Sequence, residues 1–481
     1  MPDVSPMPAP KPPAGAATPP KSVQQDGSVK ETIESILVAF ILAFVFRAFV
    51  VEAFVIPTGS MAPTLLGAHM RFHCKDCGYR WDVNYSTGRG GDDINIPSNY
   101  YRSDELTRSG GEHDVAVPLH CPNCGWPVSQ FDKDDPDNDL HDTPVHYGDR
   151  ILVLKYLYKF EKPRRWDVVV FKAPLLGNPQ EPQYSQNYIK RLVGNPGEAI
   201  IILDGDVYVG PRGANPYEHP EAFHIARKPW VVQQALWRNV YDNDYIPHLP
   251  ANQREPQWID DVQTGHVRTD SSGKPVSAGR PWQQPWVEAG GRDAWGLKKN
   301  PRERVLEVND PSGPPAELAF DADANPDTYA FRDHIPYDEY DEQMRSRSWQ
   351  KNIVGDLKLG LTYTHVAGDG AFEMELSKAH DTFFIRITAG QATLFRSHAG
   401  APPEALAGPV AVAGLSGPEP VRLELCNVDY RVFLRANGRE VLSTTDAQYA
   451  PDLGRMLQDK SHEQVMPQAR VRAAHSPQWA G

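Results

Sequence analysis

The stretch ILVAFILAFVF, residues 36–46, carries no charge, and the apolar character resumes on either side of Arg47 and Glu52 as far as Ile56. A membrane span needs about 20 predominantly apolar residues. Residues 32–51 supply them, with Glu34 and Arg47 close enough to the ends to reach the interface. The reading is a single transmembrane anchor over 31–52. A cleaved signal peptide is the first rival, but no clear A-x-A site follows and the polar leader is long. A buried helix of a soluble domain is the second, and Arg47 and Glu52 leave room for it. Lys11, Lys21 and Lys30 precede the run, so the positive-inside rule keeps the N-terminus in the cytoplasm. Everything after about residue 52 then lies outside it, on a single-pass protein of the cell (inner, cytoplasmic) membrane.

The 481 residues suffice for about three domains at the usual size. The net charge of −13 argues against general nucleic-acid binding, and KPRRW at 162–166 is too short a basic block to reverse that. Residues 1–30 are Pro-rich and cannot build a core; they read as a disordered cytoplasmic tail.

After the anchor the composition divides the chain. Residues 53–71 leave the apolar run, and residues 72–142 hold four of the five cysteines and a very polar middle ending in DKDDPDNDLHD. Residues 145–225 are strand-rich, in DRILVLKYLY, WDVVVFKAP, NYIKRLVG and AIIILDGDVYVG. Residues 226–349 are Trp-, Pro- and Asp-rich with weak periodicity. From 350 to 481 strands return at intervals of about 10 residues, the pattern of a β-sandwich. In YRVFLRANGREVLS the alternation around Asn437-Gly438 marks a hairpin.

The chemistry centres on FVIPTGSMAPTLLGAH, residues 54–69, which leaves the apolar segment and at once presents Ser60 in a stretch too apolar for an ordinary solvated loop. A serine after a glycine is most often a turn residue. This one gains weight from its place just beyond the anchor and from YIKRLVGNPGE, residues 188–198. A hydroxyl is a poor nucleophile until a base takes its proton. A lysine can serve once burial brings its pKa down from about 10.4 by disfavouring the ammonium. Lys190, between Ile189 and Leu192-Val193, is placed for that, while Arg191 would point to the other face of a strand.

At these residues the chain resembles the type I signal peptidases, membrane-bound serine proteases that remove signal peptides from exported proteins. PTGSMAPTL is similar to the family's serine box, GDRILVLK (148–155) and RRWDVVVFKAP (164–174) to its two strand boxes, and YIKRLVGNPGE to its lysine box. The resemblance covers roughly 30–72 and 145–210 and implies a β catalytic core formed by 53–71 and 145–225. It implies Ser60 as nucleophile, Lys190 as general base, and the Ser60 backbone N–H with the Thr58 hydroxyl as the oxyanion hole. It also implies preprotein substrates with small residues at −3 and −1, bound extended against a sheet edge beside membrane lipid, with no cofactor for catalysis.

HCKDCGYRW and HCPNCGWPV read as two zinc knuckles, in which Cys74, Cys77, Cys121 and Cys124 close a tetrahedral structural Zn²⁺ site. Two disulfides are the rival, since the block falls outside the cytoplasm. Four thiolates leave no open position for a substrate, which sets aside a catalytic metal. Cys426, in RLELCNV, reads as a buried small hydrophobe.

The expected fold is therefore mainly β: a signal-peptidase-like core after one N-terminal helix, a cysteine-rich zinc-ribbon-like insertion, and a jelly-roll-like β-sandwich insertion. The family's closing box (Gly-Asp-Asn, then Ser, then Asp-Ser-Arg) is not found, and TDSSGK at 269–274 is a poor candidate for it. The box is lost to truncation, or replaced, or the protein is a non-catalytic binding or scaffold relative on the same frame.

Overall fold

The computed structural model describes residues 29–56, 58–84, 120–126, 143–173, 186–248, 282–291, 293–309, 313–325, 328–333, 337, 352–458 and 465–474. The Pro-rich tail, the middle of the cysteine-rich block with its acidic run, and the TDSSGK segment lie outside the described residues. Strands dominate what is described, after one apolar N-terminal helix, so the fold is mainly β. The chain divides into two compact units, residues 1–53 with 152–161, and residues 54–151 with 162–481.

The first unit holds the helix Val29–Phe49. An 18-residue window within it has a mean hydropathy of 2.0, and none of its side chains is buried, so by length and composition it can cross a membrane. Glu31 in the first turn and Arg47 in the last complement the helix dipole. The helix ends at Phe49, three residues before the expected end of the anchor, because the chain turns into strand Val51–Val55. Lys155 ties off that exit. Its ammonium donates to the carbonyls of Arg47 and Ala48 at 3.5 and 3.4 Å and pairs with Glu52 at 2.9 Å. Nearby Leu152 and Phe160 are 72% and 84% exposed, apolar surface that a water-soluble unit of this size has little reason to display.

In the second unit, strands Val168–Ala173 and Gln186–Arg191 pair antiparallel, setting Val169 opposite Lys190. The ladder runs on through Leu192, whose N–H donates to Asp167 O while its carbonyl accepts from Trp166 N–H, at 2.8 and 2.7 Å. Strands Glu198–Leu203 and Asp206–Pro211 form the next hairpin. Its loop is Asp204-Gly205, both at positive φ, the handedness that matches the twist of the flanking strands. Tyr208, Val209 and Phe223 are buried around this hairpin, and Trp166 caps one side, its indole N–H donating to Arg227 O at 2.9 Å.

Strand Arg80–Asn84 of the cysteine-rich block joins His69–His73 and Val145–His146 from its flanks in a three-stranded sheet over Met70, Phe72, Trp81 and Val83. The C-terminal half is a sandwich. One sheet of seven strands lies in the order Trp286–Glu288, Ala316–Phe320, Ala469–Ala474, Ala371–Lys378, Asp381–Thr388, Gln391–His398, Glu404–Ala411. The other lies in the order Leu357–Tyr363, Val421–Val428, Arg431–Ala436, Arg439–Ser443. Alternate residues, including Met374, Phe383, Ile385, Leu394, Leu423, Leu425 and Leu434, fill the space between them. The hairpin at Asn437-Gly438 forms with both residues at positive φ. Two strands of the larger sheet, Trp286–Glu288 and Ala316–Phe320, come from the stretch whose periodicity is weak. They are short and are held by neighbours distant in sequence, so no local pattern announces them.

Candidate active site

The turn that carries Ser60 is held at both ends by the segment 148–149. Ile56 N–H donates to Asp149 O at 2.9 Å, Asp149 N–H donates to Leu66 O at 2.9 Å, and the Asp149 carboxylate accepts from Leu66 N–H at 2.8 Å. Gly148 has to be glycine: a Cβ there would sit 1.9 Å from Ile56 O. Gly67 is equally constrained, since its Cβ would sit 2.3 Å from the Thr58 carbonyl carbon. Inside the turn, Ala62 N–H donates to Gly59 O and Leu65 N–H to Met61 O, at 2.8 and 3.0 Å. Met61 is buried beneath, while Thr58 and Ser60 are exposed.

Lys190 reaches this turn across 130 positions of sequence, its Nζ lying 2.6 Å from Ser60 Oγ. The same nitrogen donates to Ile189 O at 3.0 Å and stands 5.8 Å from the centre of the Tyr188 ring. Lys190 is half-buried rather than enclosed, so the shielding expected from its apolar strand is incomplete in the free protein. Arg191 faces the other way, as strand alternation requires. It donates to Trp166 O and to Thr64 Oγ1, both at 3.0 Å, and so fastens the far limb of the serine turn to the lysine strand. Thr58 stands on the near limb, two residues before Ser60.

Cys74, Cys77, Cys121 and Cys124 converge at a separate place. Their sulfur atoms all lie within 4.8 Å of one another, with Cys74 to Cys124 and Cys77 to Cys121 each at 3.7 Å. A tetrahedron of thiolates about 2.3 Å from a zinc ion has sulfurs about 3.8 Å apart, so the donor set and its dimensions fit that ion. None of the four is in a disulfide. Each pair sits on a tight turn built the same way: Gly78 N–H donates to Cys74 O and Gly125 N–H to Cys121 O, with both glycines at positive φ. Hydrogen bonds from Cys121, Cys124 and Cys77 push the Cys74 thiol down strongly, while burial pushes Cys121 and Cys124 up.

The sequence did not point to three contributors to the serine turn. Asp149 lies within the quoted strand box, but its side-chain role has no local signature. Asn84 and Tyr337 approach Gly59 from the cysteine-rich block and from the stretch of weak periodicity, and no motif marks either.

Within this β module a strand lysine meets a turn serine, and a helix of membrane-spanning length, Val29–Phe49, lies near the N-terminus. The family model of the signal peptidases, peptidase S26, matches residues 29–94 and 140–265, and the match supports assigning these segments to that family. Signal peptidase I of Leptolyngbya laminosa is 27% identical over 113 residues, 22% of this chain and 56% of that protein. The probable signal peptidase I-2 of Synechocystis is 31% identical over 117 residues, 22% of this chain and 51% of that protein. The thylakoidal processing peptidase 1 of Arabidopsis thaliana is 44% identical over 66 residues, 13% of this chain and 19% of that protein. The chain thus spans about half the length, or less, of these relatives.

Proposed function

We propose that the protein is a membrane-anchored serine endopeptidase that removes signal peptides from exported preproteins, with Ser60 as nucleophile and Lys190 as general base. The observation that carries this is the 2.6 Å approach of Lys190 Nζ to Ser60 Oγ. That is hydrogen-bond distance for a proton transfer, between a hydroxyl that faces solvent and an amine held by a second contact.

The reaction then follows from the atoms. Lys190 Nζ takes the Ser60 hydroxyl proton as Oγ attacks the scissile carbonyl carbon. The oxyanion is met by the Ser60 N–H and the Thr58 hydroxyl. As the intermediate collapses, Lys190 returns the proton to the leaving amine, leaving an ester on Ser60. Water, deprotonated by the same amine, then attacks the ester, and Lys190 returns that proton to Ser60 Oγ as the acid product leaves. A substrate laid over the turn would complete the cover that the half-buried Lys190 lacks in the free protein. The site follows closely on the anchor, which favours a scissile bond close to the membrane surface. The lysines before the helix favour a cytoplasmic N-terminus and an extracytoplasmic site.

The cysteine cluster would hold a structural Zn²⁺ through all four thiolates. Bound there, the ion joins the two knuckles and supplies no catalytic chemistry, because no coordination position is left open.

The test is cleavage of a preprotein bearing an A-x-A site by the detergent-solubilised chain and by its Ser60→Ala variant. Turnover by the first alone is the expected result. Turnover by both removes Ser60 from its role, and turnover by neither favours a membrane-anchored binding or scaffold protein on the peptidase frame.

A further inference from the structure

The serine turn has no regular secondary structure of its own, yet it must keep Ser60 Oγ at its 2.6 Å approach to Lys190 Nζ with a tolerance of a fraction of an ångström. Beneath it stands Tyr337, 5% exposed and 270 positions away from Gly67, the residue it meets. The Tyr337 ring lies under Gly59: a Cβ on that glycine would fall 2.6 Å from Tyr337 Cε1, and 3.0 Å from Asn84 Cγ and Oδ1. The Tyr337 hydroxyl accepts a hydrogen bond from the buried Gly67 N–H at 2.9 Å. Gly67 in turn lies against the backbone of Thr58, and Gly59 immediately precedes Ser60. One side chain therefore touches both limbs of the turn, on either side of the nucleophile.

We propose that Tyr337 is a positioning residue for Ser60, bracing the turn at Gly59 with its ring and at Gly67 with its hydroxyl. This rests on the peptidase reading for its consequence but not for its contacts. Without the ring, the turn can sink away from the lysine strand. Without the hydroxyl, a buried N–H loses its acceptor. The side chain acts through Gly59 and Gly67 rather than on the reacting atoms. A displacement of about 1 Å at a reacting group costs on the order of 100-fold in rate. Glycine at 59 belongs to the same device, since the ring occupies the space a side chain would need.

The test uses the full chain in detergent and its Tyr337→Phe, Tyr337→Ala and Gly59→Ala variants. Preprotein cleavage and hydrogen exchange at the Gly67 amide are both followed. Tyr337→Ala is expected to lower kcat by about 100-fold while KM stays within about twofold. Tyr337→Phe keeps the ring, and is expected to speed Gly67 exchange with a smaller loss of kcat. Gly59→Ala is expected to lower kcat sharply beside Tyr337 and much less in the Tyr337→Ala background, the non-additivity of groups in contact. A residue that only supports folding would lower the melting temperature and leave kcat of the folded protein and that coupling unmoved, and this result overturns the proposal. Unchanged Gly67 exchange in Tyr337→Phe also overturns it. If the wild type itself cleaves nothing, the peptidase reading fails on its own. The exchange measurement then decides the brace, faster exchange in Tyr337→Phe supporting it and unchanged exchange overturning it.

Discussion

Lys190 shows how much one side chain is asked to do at this site. Its nitrogen contacts Ser60 Oγ and a backbone carbonyl, and its neighbour Arg191 uses the opposite strand face to hold Thr64. Lys190→Met keeps the stem and removes the amine. It is expected to lower preprotein cleavage by on the order of 10³-fold or more, with circular dichroism and melting temperature unchanged. Near-normal turnover at neutral pH would mean that another base serves. A second titrating group lies away from the site. Burial raises the Asp206 carboxyl to about 7, opposed by Lys378 and Lys228 and helped by Asp356 and Asp429. The folded chain then keeps a proton that the unfolded chain has already released, so this contribution to stability is lost as pH rises from the ordinary carboxylate range through about 7. Asp206→Asn should flatten that part of the curve. Melting temperatures of both proteins between about pH 4 and 8 check it, and parallel curves would count against it.

At the scale of elements, the two knuckles illustrate a motif that is complete in sequence and closed only in three dimensions. Each CxxC sets two sulfurs on one turn, but the tetrahedron needs both turns to meet across 44 to 50 positions of sequence. Cys74→Ser is expected to reduce bound zinc from one equivalent towards none in metal analysis of the purified chain. It should also destabilise strands His69–His73 and Arg80–Asn84, which lead into and out of the first knuckle. Because Asn84 ends the second of these strands and meets the serine turn, the loss should spread to cleavage. A wild type without metal whose thiols do not titrate would indicate disulfides instead. The hairpin at Asn437-Gly438 was read from that dipeptide, since few other residues accept two successive positive φ values cheaply, and the hairpin at Asp204-Gly205, in a segment read only as strand-rich, turns in the same way. The strand Trp286–Glu288 was not, because three residues carry too little periodicity to register.

Within the larger unit, the hairpin 198–211 is joined to the sandwich through a knot of charge. Lys378, on a sandwich strand, reaches Asp356 at 2.7 Å and Asp206 at 3.4 Å, with the Tyr430 ring 4.2 Å away. Lys228 pairs with Asp429, which is 1% exposed, and Arg227 donates to Asp429 O at 2.9 Å. Asp206, Asp356 and Asp429 cluster closely enough to suggest a cation site, but each already has a lysine partner, Lys378 for Asp206 and Asp356 and Lys228 for Asp429. Burial lowers the Lys378 ammonium, and Asp356 and Asp206 outweigh that and hold it well above its usual range. Lys378→Met strands these carboxylates and is expected to cost about 3–5 kcal/mol in urea unfolding. Adding Asp206→Asn should return part of that. A loss below about 1 kcal/mol would show that the knot contributes little.

The sequence by itself determined whatever is local or strictly ordered. A 21-residue apolar helix, strand segments with their Gly-marked turns, paired CxxC motifs, and a serine and a lysine in boxes that follow in order can all be read along the chain. The first three rest on periodicity, on φ values few residues accept, or on short fixed spacings, and the serine and lysine on the resemblance of their boxes to the type I signal peptidases. Only the tertiary structure decided what depends on distance: the 2.6 Å meeting of Ser60 and Lys190, the half-exposed state of that lysine, and the convergence of four sulfurs. It alone also brought Tyr337 beneath Gly59 and set Lys378 against Asp206, contacts between segments 172 to 278 positions apart that leave no imprint on their neighbours in sequence. Such contacts arise from packing across the folded chain, which no window of adjacent residues contains.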